Sequence, residues 1–382
     1  LYHYNVPKSI GTNGHDDPGS WELEINPAGV DRLEEESSIF SLTPGQFGGT
    51  LSWLASKADE RRQTDALMAE DAQWVLERCA QRSDRPFFLA VGFFRPHTPY
   101  VSPQAYFDLY PPAEMPVVGD VAEDQKDLPP AALGSYKKEQ DKLTDELRRE
   151  ARQAYYASIS FMDAQVGKVL DTLDRLKLSD NTVVVFTSDH GYHLGEHGLW
   201  QKQSLFEESA RVPLVIAAPG VAKGGSVVTT PVSHVDLFPT LCELSAVKTP
   251  KNVQGESLVP LLKSPDAASR GWALTQVVRG GNIRRFGASA AVGDGGNRFF
   301  GYSLRTPRWR YTEWHEGEVG RELYDHESDP RELRNLADDP AHAATRDELS
   351  RQLRIAVKAS LPESGEIPKV KPDLWAPTLV DP

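Results

Sequence analysis

The stretch TVVVFTSDHGYHLGEHGLWQK, residues 182–202, joins a short apolar run to an unusually polar segment. Residues 183–186 are β-branched or aromatic, which is typical of a buried strand. The segment that follows carries an aspartate, three histidines, three glycines and a lysine. In open α/β sheets, ligands collect beyond the carboxyl ends of the strands. We therefore predict that residues 188–202, called the exit loop below, form a binding site.

The bulk composition indicates an acidic globular protein. Its 382 residues carry a formal net charge of −13, and no basic cluster reverses that charge locally, so a nucleic-acid partner is not expected. No apolar run reaches the length of about 18 residues that a membrane-spanning helix needs. Cys79 and Cys242 are too few for a disulfide scaffold, and both lie in helical patterns as small buried side chains.

Apolar runs alternate with helical periodicities over the first two thirds of the chain. Buried strands are predicted at three places: PFFLAVGFF (86–94), NTVVVFTSD (181–189) and VPLVIAAPG (212–220). Amphipathic helices are predicted at three places: 57–82, 138–176 and SHVDLFPTLCELS (233–245). This order predicts an α/β fold over residues 1–267, with a mainly parallel sheet sandwiched by helices.

The pattern changes after residue 267. Three alternating segments predict an antiparallel sheet: WALTQVV (272–278), FFGYSLRT (299–306) and WRYTEW (309–314). A helix is predicted at about 340–360, and a proline-rich tail follows it. We therefore predict a smaller α+β domain over residues 268–382.

The histidines of the exit loop leave several interpretations open. Asp189 and His190 could hold a divalent cation, or Asp189 could merely cap a turn. Three histidines, His190, His193 and His197, would suit zinc on a helix, but the loop's glycines oppose a helix by about 1 kcal/mol each. His193 and His197 are instead expected to organise the loop by hydrogen bonds or to approach the substrate. Of the two, His193 is the candidate for substrate contact.

Two further side chains are candidates for binding an anion. Lys202 follows an ordered-looking loop with glycine and tryptophan, where an ammonium could hold an anionic group, although an isolated lysine is usually solvated. His97 lies in RPHTPY (95–100), after the predicted strand 86–94, and is expected at the same sheet edge. A histidine in a proline-rich loop is, taken alone, more often structural.

In combination, these segments resemble the type I sulfatases of the alkaline phosphatase superfamily. Five segments carry the resemblance: YYASISFMDAQVGKVLDTLD (155–174), FTSDHGYHLGEHGLWQK (186–202), VPLVIAAPG (212–220), VDLFPTL (235–241) and QGESLVPLL (254–262). Two more look most like the iduronate-2-sulfatase branch: PFFLAVGFFRPHTPY (86–100) and the opening LYHYNVPKSIGTNGHDD (1–17). The resemblance implies that the full-length protein hydrolyses a sulfated sugar, of the uronate-2-sulfate type, in the periplasm or outside the cell.

The same resemblance implies roles for individual residues. Asp189 and His190 would bind a Ca²⁺ ion, and Lys202 would contact the sulfate. His97 would contact the sulfate as well and donate a proton to the leaving oxygen. His3 would assist the later collapse of the reaction intermediate.

The sequence departs from the family pattern at the nucleophile. The family uses a formylglycine made from the cysteine of a C-x-P-S-R or C-x-A-S-R segment, whereas Cys79 precedes AQRS and Cys242 precedes ELSA. The paired aspartates that complete the family's calcium site are also absent. We expect an upstream segment of the same protein to supply them. Residues 1–382 alone are expected to have no sulfatase turnover, to bind calcium weakly and to associate.

Two other functions remain open on sequence grounds. The same scaffold serves phosphate and phosphonate monoester hydrolases, and a non-catalytic chain could keep the pocket only to bind sulfated ligands. Turnover of an aryl sulfate compared with an aryl phosphate would separate the two enzyme classes.

Overall fold

The computed structural model describes residues 6–12, 19–82, 84–280 and 299–361. In these ranges the α-helices are α1 (Val30–Leu33), α2 (Thr64–Ala80), α3 (Gln104–Phe107), α4 (Val121–Asp124), α5 (Asp145–Arg175), α6 (Glu207–Ala210), α7 (Leu237–Leu244), α8 (Val259–Lys263) and α9 (Ala343–Ser360). The strands are β1 (Phe40–Ser41), β2 (Ser52–Ser56), β3 (Tyr100–Pro103), β4 (Val184–Thr187), β5 (Leu214–Ala217), β6 (Ala273–Arg279), β7 (Phe299–Arg305), β8 (Trp309–Trp314) and β9 (Gly320–Asp325).

The chain divides into two units. The first comprises Leu1–Gly119 and Lys137–Asn181, and the second comprises Asp120–Tyr136 and Thr182–Pro382. The predicted domain boundary between residues 267 and 268 stays a prediction. The small antiparallel sheet starts six residues after it, at Ala273. No helix in the described ranges is both long enough and apolar enough to cross a bilayer.

Helices α2 and α5 form the main packing of the first unit. The 31-residue α5 starts at Asp145 because the Thr144 hydroxyl accepts a hydrogen bond from the Leu147 amide, at 3.3 Å. Fully buried alanines line the packed face of α5, and Gln73 of α2 donates to the Thr172 hydroxyl at 2.8 Å. The predicted helix over 138–176 is confirmed for most of its length, although Lys138–Lys142 is a 3₁₀ turn.

The strands of the first unit differ from the prediction. β2 pairs with β1 in antiparallel and with β3 in parallel orientation. The strand predicted over 86–94 is wrong: this segment belongs to no ladder, and Phe88 is 71% exposed. The amides of Phe94 and Arg95 donate instead to the buried Asp65 carboxylate, at 2.9 and 3.0 Å. An apolar run indicates a tendency to be buried or extended, but it does not specify which backbone it pairs with.

In the second unit, β4 and β5 pair in antiparallel orientation, with Val185 opposite Ile216. Both strands were predicted as members of a parallel sheet, so their direction is a correction. Hydrophobic patterning places a strand in the sequence, whereas its direction depends on the path of the connecting chain. The pair is also less buried than predicted, since Val215 is 60% exposed.

The predicted antiparallel sheet is confirmed as the meander β6-β7-β8-β9. One hydrophobic cluster joins the sheet to α9 and includes the fully buried Leu304, Tyr311 and Leu323. A second cluster joins Trp314 and Tyr324 to side chains from the end of the exit loop and just beyond it, namely Leu199, Leu205 and Phe206. The α/β class with a small carboxy-terminal antiparallel sheet is therefore confirmed, and the second cluster connects that sheet to the candidate site.

Candidate functional site

The exit loop leaves the carboxyl end of β4 and is held by one backbone hydrogen bond to the neighbouring helix α6 and by another within the loop itself. The Gly191 amide donates to the Ser209 carbonyl at 2.9 Å, and the His193 amide donates to the Gln201 carbonyl at 3.0 Å. Gly191 lies so close to α6 that a Cβ atom there would be 2.0 Å from the Glu208 carbonyl oxygen. Glycine is therefore required at this position for steric reasons.

The tip of the loop reverses direction through left-handed backbone conformations. Gly195 has φ 113°, His197 has φ 53° and Gly198 has φ 73°. The glycines adopt these angles at little cost, whereas a histidine does so only when its surroundings hold it there. The Gln125 side chain supports the turn by donating to the His197 carbonyl at 2.8 Å.

Asp189, His190 and Lys202 come together at the base of the loop. The His190 amide donates to Asp189 Oδ1 at 3.0 Å, and the His190 Nδ1 atom pairs with the Gly191 carbonyl at 2.8 Å. The Lys202 ammonium lies 2.8 Å from His190 Nε2, and Asp189 Oδ2 lies 3.2 Å from the same atom. The turn of the loop therefore brings a cation, an imidazole and a carboxylate together beyond the end of β4.

The charges of this cluster differ in their exposure to solvent. The Asp189 side chain is 71% exposed and that of His190 is 30% exposed. Burial lowers the pKa of Lys202, and the Asp189 carboxylate partly opposes that shift. A partly desolvated ammonium interacts more strongly with a bound anion than a fully hydrated one does, because the local dielectric is lower.

Asp189 and His190 fit part of a cation shell. With its Nδ1–H donated to the Gly191 carbonyl, His190 carries its lone pair on Nε2, which lies 3.2 Å from Asp189 Oδ2, so each residue has one atom that could bind a cation. Among the residues described, no set of three ligand-bearing side chains includes either of them. Calcium takes about six to eight oxygen ligands, so these two residues would form only one side of such a site. The calcium assignment stays a prediction.

The other two loop histidines are buried. The His193 side chain is 0% exposed, and its Nε2 atom pairs with the Ser204 hydroxyl at 2.7 Å. His197 is 1% exposed, and its Nδ1 atom pairs with Asp124 at 3.1 Å. Both therefore organise the loop by hydrogen bonds, which was one of the two expectations. The burial of His193 argues against its predicted contact with the substrate.

His97 belongs to the first unit and lies in a loop that a buried ion pair anchors. The Arg95 guanidinium, 3% exposed, donates to the Asp31 carboxylate at 2.7 Å and to the Val101 carbonyl at 2.7 Å. His97 is half-buried, and its Nδ1 atom pairs with the Thr98 carbonyl at 2.6 Å. The position of His97 relative to Lys202 stays a prediction. His3 lies outside the described residues.

Sequence reasoning missed His234 at the candidate site. Its Nε2 atom lies 3.3 Å from the hydroxyl of Thr187, the last residue of β4, so it stands at the same sheet edge as Asp189. His234 immediately precedes the quoted segment VDLFPTL, but no sequence motif connects it with Asp189, 45 residues earlier. Only the tertiary structure brings His234 to the end of β4.

Comparisons with known proteins show which proteins this chain is similar to. The model of the family described as Sulfatase matches residues 23–247. A choline-sulfatase of Rhizobium meliloti is 37% identical over 264 residues, which cover 68% of this chain and 48% of the relative. An iduronate 2-sulfatase of Mus musculus is 29% identical over an alignment covering 87% of this chain and 73% of the relative. The chain thus spans about half the length of the choline-sulfatase.

A solved structure extends the likeness to three dimensions. The phosphonate monoester hydrolase of Silicibacter pomeroyi superposes with a TM-score of 0.67 at 26% identity, covering 83% of this chain and 63% of the other. A second solved structure, a complex with D-glucosamine-2-N,6-O-disulfate, superposes with a TM-score of 0.63 at 22% identity, covering 78% and 70%. At that identity the second likeness concerns the fold alone.

Proposed function

Because this chain belongs to the sulfatase family, we propose that its protein hydrolyses a sulfate monoester carried by a sugar. The observation that carries the proposal is the contact of Lys202 with His190 beside Asp189, at the carboxyl end of β4. A sulfate monoester is an anion whose charge grows on the leaving oxygen during cleavage. An ammonium and a metal-binding pair, set at one point of an otherwise acidic protein, are suited to hold such a group.

Each residue has a separate part in the proposed reaction. The half-buried Lys202 ammonium binds the sulfate oxygens and stabilises their charge. Asp189 and His190 hold the cation, and a bound calcium ion would supply positive charge next to the sulfate. His97 donates a proton to the leaving oxygen, since imidazole titrates near neutral pH. His3 and the nucleophile complete the scheme as predicted from the family resemblance.

The finer substrate assignment is a uronate-2-sulfate in a glycan. The long alignment with iduronate 2-sulfatase, which covers 87% of this chain, supports it. Phosphonate monoester hydrolysis is the second candidate, because the likeness to such an enzyme has a TM-score of 0.67. We also propose that the protein acts in the periplasm or outside the cell, where sulfated polysaccharides are met, and fractionation of cells expressing the full-length gene tests this point.

The first prediction tests the role of Lys202. In the full-length protein that carries this chain, Lys202→Gln should lower kcat/KM for an aryl sulfate by about 10²–10³-fold, the usual effect of removing one charge-stabilising donor. Lys223→Gln is the matched control, because Lys223 is an exposed lysine in the turn after β5 and should leave kcat/KM unchanged.

The same enzyme preparation separates the two candidate functions. An aryl sulfate and an aryl phosphonate monoester are assayed side by side, followed by a 2-O-sulfated uronate disaccharide. Faster turnover of the phosphonate would replace the sulfatase proposal with the second candidate. Equal loss of activity in Lys202→Gln and Lys223→Gln would refute the role given to Lys202.

A further inference from the structure

A buried cluster of ionisable side chains includes two histidines of the exit loop and takes no part in the proposed reaction. His193 and His197 stand at its centre, with ring centroids 5.9 Å apart, and the ring of His197 stacks on Phe206 at 3.8 Å. His193 pairs with the neutral Ser204 hydroxyl, whereas His197 faces two carboxylates. The two imidazoles are therefore neighbours in different electrostatic surroundings.

Two carboxylates from different elements enclose His197. Asp124 Oδ2, from the end of α4, lies 3.1 Å from its Nδ1 atom, and Glu208 Oε2, from α6, lies 3.7 Å from its Nε2 atom. The His197 side chain is 0% exposed and that of Asp124 is 9% exposed. Neither His197 Nε2 nor Glu208 Oε2 has a hydrogen-bond partner among the described residues. Each ring nitrogen of His197 faces a carboxylate oxygen, and only the doubly protonated, positively charged imidazole can donate from both nitrogens.

A second proton on the His197 ring would supply that charge. Burial opposes a charge on His197, but the carboxylates of Asp124 and Glu208 outweigh it and raise the pKa to about 10. For His193, burial and the charge of His197 lower the pKa to about 3. When the surroundings of two adjacent imidazoles shift their pKa values in opposite directions, the pair is expected to hold one cation and one neutral ring.

A metal ion is the competing source of positive charge. Ligand atoms of His197, Glu208 and Glu332 all lie within 4.8 Å of one another. However, Glu332 already accepts hydrogen bonds from the Arg310 and His326 side chains and from the Glu207 amide. The Arg310 guanidinium therefore already pairs with the Glu332 charge, and it would repel a divalent cation placed beside that carboxylate. The proton is the better explanation.

The position of His197 gives this charge a consequence for the candidate site. His197 lies between His190 and Lys202 in sequence, and its backbone is in the left-handed region, with φ 53°. The Glu208 end of the ion pair belongs to α6, the helix whose Ser209 carbonyl receives the Gly191 amide. The loop is thus tied to α6 twice, once beside His190 and once at its tip.

We infer that His197 is a positioning residue which, held as a cation between Asp124 and Glu208, fixes the exit loop so that Lys202 and His190 face the sulfate. The inference rests on the proposed function for the identity of the anion, but not for the fixing of the loop. Asp124 and Glu208 share this role, because one carboxylate holds each side of the imidazole.

The test uses three variants of the full-length protein. Asp124→Asn and Glu208→Gln keep shape and remove one charge each, and the third combines both. Asp127→Asn is the matched control, because Asp127 lies three residues from Asp124 and accepts a hydrogen bond from the Asn335 amide instead of pairing with His197. Each variant is measured by hydrogen exchange, by imidazole ¹⁵N NMR at pH 8 and by its affinity for inorganic sulfate.

The expected result is a local change. Exchange in residues 188–202 should rise at least tenfold in Asp124→Asn and Glu208→Gln, while exchange in β7–β9 changes less than twofold. The imidazolium signal of His197 should be present at pH 8 in the wild type and lost in the double variant. Sulfate affinity should fall about tenfold in the single variants and stay unchanged in Asp127→Asn.

Three results would overturn the inference. The first is a neutral His197 at pH 8 in the wild type. The second is exchange of residues 188–202 in Asp124→Asn and Glu208→Gln that is no faster than in Asp127→Asn. The third is one equivalent of zinc bound to the wild type and lost in these variants. If the wild type does not bind sulfate but the variants show the predicted exchange and NMR changes, the proposed function is refuted. The role of His197 in fixing the loop is then still supported.

Discussion

Glu322 shows how one residue of the small sheet can make stability depend on pH. Its side chain is 2% exposed and lies between two donors, the Trp314 indole at 2.6 Å and the Tyr324 hydroxyl at 2.9 Å. Burial raises its pKa from 4.5 to about 7, and the two hydrogen bonds do not offset that effect. The folded protein therefore binds a proton that the unfolded chain releases.

The sign of the effect follows from linkage. Because the folded-state pKa is above the unfolded-state value, Glu322 lowers the free energy of unfolding as pH rises from about 4.5 to about 7, by about 3 kcal/mol in all. Glu322→Gln removes the charge and keeps an acceptor, so it should remove this decline. Urea unfolding of both proteins at pH 5 and pH 8 measures it, and a decline of equal size in the variant would show that another group is responsible.

At the scale of elements, replacing glycine by alanine is expected to have a steric effect at one position and a conformational effect at another. Gly191 of the exit loop faces the backbone of α6, where a methyl group would meet the Glu208 carbonyl at 2.0 Å. Gly167 lies inside α5, and a methyl group there would meet nothing within 4 Å. The same substitution therefore has opposite expected signs at the two positions.

We predict that Gly167→Ala raises the free energy of unfolding by about 1 kcal/mol, because alanine is the better helix former. Gly191→Ala should lower it by about 1–3 kcal/mol, because the loop must move away from α6. Urea unfolding monitored by circular dichroism compares the two variants. Stabilisation by Gly191→Ala would mean that the loop does not pack on α6 as described.

At the scale of the whole molecule, the strands differ in how much structure protects them. β8 is paired on both sides, and its Tyr311 and Trp314 are fully buried. β4 and β5 form a two-stranded pair whose Val215 is 60% exposed, and residues 86–94 belong to no ladder. Backbone hydrogen bonds with little burial around them open most easily.

Hydrogen exchange should therefore separate these segments in the native protein. Amides of β8 are expected to exchange at least a hundredfold more slowly than those of residues 86–92, with β4 and β5 in between. Exchange followed by peptide mass spectrometry gives the order directly. Protection of residues 86–92 equal to that of β8 would indicate that this apolar run has a partner strand in the native protein.

Local signals in the sequence determined the elements that depend on near neighbours. The apolar periodicity predicted α5, and strict alternation predicted β6, β7 and β8. The antiparallel pairing of β7 with β8 and of β8 with β9 agrees with their short connections, which favour antiparallel neighbours. The proximity of Asp189, His190 and Lys202 was also predictable, since only 14 residues contain them and glycines within the same stretch permit the turn that brings them together.

Tertiary structure alone decided whatever depends on a distant partner. The apolar run 86–94 looked like a strand, but the amides at its end pair with Asp65, 29 and 30 residues away. No sequence signal distinguished the charge state of His197 from that of His193, but against the effect of burial Asp124, which lies 73 residues from His197, raises the pKa of His197. The physical reason is that burial and neighbouring charge set hydrogen-bond partners and protonation, and folding brings both from elements that sequence spacing does not connect.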